Sequence, residues 1–201
     1  MKNLFLVSFL FFFQIIFSQK ELLIVQSEMA QHELNGEFTN PETTILEAEV
    51  FKDFKGLEFY PLNPKFIVEA DFIRTPGEKP FLMPTTTDRL PEYIKYGEAH
   101  FEIDGKKYVL NLFKSTQPKA EPGYEDYLFL PFTDYTSGDG SYGGGRYLDQ
   151  RIPEGDKLFI DFNKAYNPYC AYNARYSCPI PPKENDLSIR IEAGVRDFKL
   201  K

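Results

Sequence analysis

The sequence predicts a mainly β fold, an antiparallel sandwich or a bent, barrel-like sheet, with one N-terminal helix. Three observations carry that expectation. From Phe66 onward apolar and polar residues alternate with a period of two, the spacing that turns one side of a strand toward a core. Asp104-Gly105 separates two such runs, and both residue types tolerate the positive φ of a two-residue hairpin turn. Ahead of these runs Glu21–Leu34 combines mostly good helix formers with an absence of Gly and Pro.

The chain opens with Lys2 and then an almost unbroken apolar run, Leu4 to Phe17, interrupted only by Ser8 and Gln14. Its 14 residues match a signal-peptide core and fall short of the ~20 needed to span a bilayer. Residues 1–19 therefore read as a signal peptide, cleaved after Ser18 or Gln19. No cysteine near that point offers a lipid attachment site. The expectation is export to the periplasm or the extracellular space, with no membrane insertion once the leader is gone. The mature part, 20–201, has the length of a single β-rich domain.

Residues 20–35 hold the helix. Leu22, Val25 and Met29 recur near helical spacing, and Asn35-Gly36 is its expected stop. A poorly patterned stretch leads through Asn40-Pro41 to Pro61. Phe66, Val68, Ala70 and Phe72 then line one face of a strand, ended by Pro76-Gly77. Phe81–Thr87 reads as a short edge strand because it contains Pro84.

The hairpin from Glu98 to Phe113 has a testable register. Pairing Ile103 with Lys106 sets Phe101 opposite Tyr108 and Ala99 opposite Leu110 on an apolar face. Glu102 then lies opposite Lys107, a favourable cross-strand pair. Further strands are predicted at Tyr127–Phe132, at Lys157–Phe162 and across Leu187, Ile189, Ile191 and Ala193. Two loop-rich segments lie between them, Thr133–Tyr147 and Ala165–Asn185.

The formal charge of −7 becomes −8 when the leader removes Lys2. No Lys/Arg cluster offsets it, so nucleic acid and anionic membrane surfaces are not expected partners. The two cysteines, Cys170 and Cys178, form an even, closely spaced pair. In an exported chain such a pair reads as a disulfide. Closing that loop of about nine residues would stabilise the fold by roughly 2.5 kcal/mol in the chain-entropy picture.

The unusual residues concentrate in the two loops. Gly138, Gly140, Gly143, Gly144 and Gly145 lead into Arg146. Exposed backbone N–H groups beside an arginine suit a carboxylate or phosphate, and the same glycines equally suit a tight turn with a bulge. No P-loop pattern accompanies them. Asp161, Asn163, Tyr166 and Asn167 form a second polar cluster. It can grip a sugar or peptide, or satisfy the backbone of the Pro-rich loop.

Nucleophilic triads and zinc sites find no support. The only histidines are His32 and His100, and His100 falls on the polar face of the hairpin. No metal or cofactor is expected. Carboxylate chemistry would draw on Asp134 and Asp161, for example as Asp134 with Asp149 or Asp161 with Glu184. A calcium site at Asp134 and Asp139 lacks EF-hand spacing.

The strings Phe132-Thr133-Asp134-Tyr135-Thr136-Ser137-Gly138 and Tyr142-Gly143-Gly144-Gly145-Arg146-Tyr147-Leu148 resemble the uncharacterised bacterial family called domain of unknown function 1684. So do Asp161-Phe162-Asn163-Lys164-Ala165-Tyr166-Asn167-Pro168-Tyr169-Cys170, Cys178-Pro179-Ile180-Pro181-Pro182, Glu184-Asn185 and Ala193-Gly194. Phe59-Tyr60-Pro61 resembles the start of the same stretch, which therefore covers 59–194. The chain departs from the family pattern at Tyr169, Asp186 and Val195. The resemblance implies that both loops belong to one signature and that the cysteine pair is shared. It carries over no reaction or substrate.

Three functional readings follow. The first is an exported domain binding a small molecule or glycan in a polar groove between the loops. Arg146 would anchor an anionic group, Asp161, Asn163, Tyr166 and Asn167 would hydrogen-bond, Gly144 of the glycine-rich turn would belong to the same site, and Tyr142 and Tyr147 would offer aromatic surface to a sugar ring or an apolar edge. The second is a hydrolase of envelope or extracellular material using Asp134 and Asp161. The third is a structural or interaction protein.

Overall fold

The computed structural model describes residues 2–117 and 122–198, with side chains from Glu21 onward. The predicted leader, 1–19, lies outside the residues whose side chains are described. Its backbone from Lys2 belongs to a long helix, α1 (Lys2–Thr39). A short helix, α2 (Ala48–Asp53), follows. Eight strands come next: β1 (Ile67–Arg74), β2 (Phe81–Leu82), β3 (Glu92–Ile103), β4 (Lys106–Ser115), β5 (Tyr127–Asp134), β6 (Arg146–Arg151), β7 (Lys157–Asp161) and β8 (Asp186–Leu187). They form one sheet in the order β6-β5-β4-β3-β1-β7, with β2 on β3 and β8 parallel to β5. Every other pairing is antiparallel, and the sheet curls into a half-barrel. Among the described residues no helix is long and apolar enough to cross a membrane.

The β3–β4 hairpin takes the predicted register, with Ile103 opposite Lys106, Phe101 opposite Tyr108 and Glu102 opposite Lys107. Asp104 and Gly105 both have positive φ, as a tight two-residue turn requires. A bulge between Lys95 and Gly97 carries β3 on toward Glu92. A side chain at Gly97 would strike the Phe72 ring, its Cβ only 2.6 Å away, so glycine lets β1 and β3 stay in contact there.

The sheet buries both sides where β4, β5 and β6 run together. Leu128, Leu130, Phe132 and Leu148 face the concave side, with Phe101, Leu110, Ile160 and Phe162. Phe113, Phe129 and Tyr147 face the other side, under Met83 and the segment carrying Cys178. Pro131 sits inside β5 opposite Tyr147, and the strand runs on to Asp134, past the predicted end at Phe132. β6 begins at Arg146, inside what the sequence reads as loop.

β4 and β5 pair only at Phe113 and Phe129. Asn185 fills the gap between them. Its Oδ1 accepts from the Asn111 amide at 2.8 Å, and its Nδ2 donates to the Asn111 carbonyl at 2.9 Å and the Pro131 carbonyl at 2.7 Å. One buried side chain thus supplies hydrogen bonds that a strand would supply.

Two expectations change. The period-two run from Leu187 to Ala193 is a strand only at Asp186–Leu187. Leu187, Ile191 and Ala193 are buried, but beyond Leu187 the regular ladder gives way to isolated backbone bonds, such as the Tyr135 amide to the Ile189 carbonyl, and to side-chain partners. The Ile191 amide donates to Asp134 Oδ2 at 2.7 Å, and the Ile191 and Ala193 carbonyls accept from Arg146. The helix, for its part, runs past Asn35-Gly36 to Thr39. The Asn35 side chain accepts from the Leu57 amide at 2.7 Å, and Phe38 is buried against Tyr172 with ring centroids 4.6 Å apart. Leu22, Val25 and Met29 face outward, because the inner face is chosen by Ser27, Gln31 and Phe38.

Candidate functional site

The glycine-rich segment is the turn between β5 and β6. Its backbone closes on itself: the Gly138 amide donates to the Ser141 carbonyl, the Ser141 amide to Thr136, and the Gly145 amide to Tyr142. Gly145 has φ of 87°, and a Cβ there would lie 2.6 Å from the Phe132 carbonyl oxygen and 2.8 Å from Pro181. Only glycine lets the turn lie against the proline-stiffened segment. The Tyr142 ring folds back over Gly144.

Arg146 leaves this turn pointing inward and is completely buried. It donates to Asp134 Oδ1 at 3.1 Å, to Thr136 Oγ1 at 3.3 Å and to the Ile191 carbonyl at 2.9 Å, and also to the Ala193 carbonyl. Burial pushes its pKa down, and the Asp134 carboxylate opposes that shift. Asp134 is equally committed, accepting from the Thr136 amide and hydroxyl and from the Ile191 amide. Arg146 therefore has no face for an external anion. It is the central tie between β5, β6 and the C-terminal segment.

The second cluster is also engaged internally. Asp161 ends β7, and its Oδ1 accepts from both the amide and the side-chain Nδ2 of Asn163 at 3.0 Å. Its Oδ2 accepts from Ser27 of α1 at 2.6 Å. Asn163 grips the Asn63 backbone, accepting from its amide at 2.9 Å and donating to its carbonyl at 3.1 Å. Gln31 of α1 donates to the Asn163 carbonyl at 2.8 Å. Strand geometry stops at Asp161 and a 3-10 turn follows, so the two side chains face each other instead of sharing a strand face. Asn167 donates to the Tyr172 hydroxyl at 3.1 Å and to the Arg196 carbonyl at 2.9 Å.

The loops do meet, in a closed contact. Tyr147 and Tyr166 exchange backbone hydrogen bonds at 2.9 and 3.0 Å, and the Tyr147 hydroxyl donates to the Pro179 carbonyl. The Tyr142 hydroxyl stands 3.9 Å from Cys170 Sγ. The expected groove anchored by Arg146 and Asn163 is thus corrected: both side chains are buried and their partners are protein groups. Tyr142, Gly144 and Tyr166 stay nearer the surface.

The carboxylate pairs part company too. Asp134 follows the concave-facing parity of β5, whereas Asp149 is paired with Phe129 on the other side of the sheet. Asp161 is buried and Glu184 exposed. Asp139, the other half of the calcium pairing, is bonded to Arg190 at 2.7 Å. The two cysteines lie together without a covalent bond between them in this structure. The Cys170 amide donates to Cys178 Sγ at 3.2 Å, so the sulfur is satisfied without a covalent bond.

An arrangement absent from the sequence reading lies on the convex side of β5 and β6. The exposed Asp149 carboxylate accepts two tyrosine hydroxyls on one oxygen, Tyr127 at 2.7 Å and Tyr166 at 2.8 Å. Burial, and then the Asp149 charge, raise the pKa of both phenols, so each remains a donor. Asp149 Oδ2 has no protein partner among the described residues. The Tyr124 ring packs on Tyr127 at 5.6 Å, and a second pair, Tyr169 and Tyr176, packs at 5.3 Å. Strand parity does place Tyr127 and Asp149 on one face. Only folding brings Tyr166 over them.

A family profile described as "Protein of unknown function (DUF1684)" matches residues 52–196, most of the chain. The chain belongs to this family. The DUF1684 fold is also similar to a solution NMR structure of an uncharacterized protein from gene locus rrnAC0354 of Haloarcula marismortui. The two are 30% identical with a TM-score of 0.69, over 89% of this chain and 96% of that one. No curated protein matches. In this DUF1684 chain the matched stretch begins within α2 and ends at Arg196, so α1 precedes it.

Proposed function

We propose that this DUF1684 chain is an exported domain that binds a small polyhydroxylated molecule or glycan on the convex side of β5 and β6. The observation that supports it is Asp149. One oxygen is held by Tyr127 and Tyr166, and the residue is exposed. A carboxylate oriented in this way is a fixed acceptor for a ligand hydroxyl, and a charge-assisted bond of that kind is among the stronger ones. The neighbouring aromatic rings offer flat apolar surfaces of the kind a sugar ring stacks on. Tyr169 is exposed beside them. Export follows from the leader, and in the oxidising compartment it reaches, Cys170 and Cys178 close as a disulfide.

The test is a titration of the protein with neutral glucan and chitin oligosaccharides, followed by NMR. Shifts centred on Tyr127, Asp149 and Tyr166 are expected. Asp149→Ala should weaken binding by about tenfold or more, the loss typical of one charge-assisted hydrogen bond. No shift at these residues with any oligosaccharide, or equal affinity in Asp149→Ala, would overturn the proposal.

A further inference from the structure

Cys170 and Cys178 are held together as unequal partners. Cys178 is buried, Cys170 half-buried. The Cys178 sulfur accepts from the Cys170 amide at 3.2 Å, and the Cys178 amide donates to Thr86 Oγ1 at 3.1 Å. The Tyr142 hydroxyl lies 3.9 Å from Cys170 Sγ. The Thr86 amide donates to the Cys178 carbonyl at 2.9 Å, which fixes the Cys178 backbone against the segment after β2. The reduced pair is therefore held in place by hydrogen bonds that need no covalent bond between the sulfurs.

We infer that Cys170 and Cys178 form a thiol–disulfide exchange centre, with Cys170 as the attacking sulfur and Cys178 as the resolving one. This goes beyond a structural staple, and it does not depend on ligand binding at Asp149. Hydrogen bonds that hold the reduced pair keep its disulfide within reach of reduction, so the pair can cycle by exchange, and partial exposure gives a reagent access to Cys170. The same asymmetry assigns the roles. The Cys178 thiol donates to Cys170 and, with the Tyr142 and Thr86 hydroxyls, draws the Cys170 pKa down to about 6. That same hydrogen bond, followed by burial, drives Cys178 up. The other groups facing the pair are Tyr147, Arg89 toward Cys178, and Asp197 toward Tyr142.

The substrate class is a disulfide, either a small one such as oxidised glutathione or one in another protein. The Cys170 thiolate attacks one of its sulfurs, forming a mixed disulfide and releasing the first thiolate. Cys178 loses its proton to solvent, attacks Cys170 Sγ and expels the second thiolate. The two cysteines give up two electrons, and the external disulfide becomes two thiols.

The experiment takes the reduced protein through iodoacetamide alkylation from about pH 5 to pH 9, with each cysteine followed by mass spectrometry. Alkylation of Cys170 should reach half its plateau rate near pH 6 and run at least about tenfold faster than that of Cys178 at neutral pH, because only the thiolate reacts. In glutathione buffers the untreated pair should interconvert between dithiol and disulfide. Cys178→Ser should halt at a mixed disulfide on Cys170. Three results would overturn the inference: equal alkylation of both thiols, a Cys170 midpoint near the ordinary thiol value of about 8.5, or an intramolecular bond that glutathione never opens. All three are read on the unmutated protein, so they stand whether or not the serine variant folds.

Discussion

Arg146 shows how a residue suited to a ligand becomes a structural one. A guanidinium has five donors in a rigid fork, and here its two terminal nitrogens reach a carboxylate, a hydroxyl and two carbonyls without leaving the protein. The carbonyls come from a segment too irregular to join the sheet. Arg146→Met should destabilise the fold by about 3–5 kcal/mol in urea unfolding, because it strands the Asp134 charge in the interior. Adding Asp134→Leu should recover part of that loss, since removing both charges also removes the desolvation penalty. If the double variant were no more stable than Arg146→Met, the stranded charge would not be the cause. The buried asparagines work in a related way. Asn163 on Asn63 and Asn185 on Asn111 each offer an acceptor and a donor to another residue's backbone, copying a short piece of β-ladder.

Among the elements, α1 has two faces with different fates. Its inner side is seated by Ser27 on Asp161 and Gln31 on Asn163, and by Phe38 under Tyr172. Its outer side carries Leu22, Val25 and Met29, all at least half exposed. Ser27→Ala should cost about 1–3 kcal/mol, the usual loss when a buried carboxylate forfeits a hydrogen bond. Leu22→Gln or Met29→Gln should stay within about 0.5 kcal/mol, as surface changes do. Urea midpoints would separate the two cases, and the opposite ranking would mean the helix is rotated. The apolar spacing announced a helix but not its orientation. Ile24 and Leu23 share the sequence neighbourhood of Leu22 and Val25, and the tie is broken by a serine and a glutamine, which hydropathy patterning reads as solvent-facing.

For the molecule as a whole, the docking contacts described for α1, Ser27 on Asp161 and Gln31 on Asn163, lie after the predicted cleavage point. A chain beginning at Lys20 should therefore keep the half-barrel. Its thermal midpoint should match that of the full chain to within about 4 °C, the shift that roughly 1 kcal/mol produces in a chain near this size. A larger fall would mean that residues 1–19 contribute to the fold and would argue against their removal in the mature protein. The cysteine pair lies on the convex side of the sheet beneath the segment after β2, and Asp149 lies farther along β6.

Local rules were enough for part of this architecture. The β3–β4 register was legible because a two-residue turn with positive φ admits few residues, and because a slip by one position would invert both faces. The period-two runs of β1 and β7 were legible for the same steric reason, and the helix from its composition. Tertiary structure alone decided where the polar residues of the two loops point. A buried arginine–aspartate pair and an exposed anion site look alike in one dimension, since burial depends on what other segments bring to the same place. Asp149, ordinary in sequence, gains its two tyrosine partners only because β5 and the Tyr166 loop converge on it.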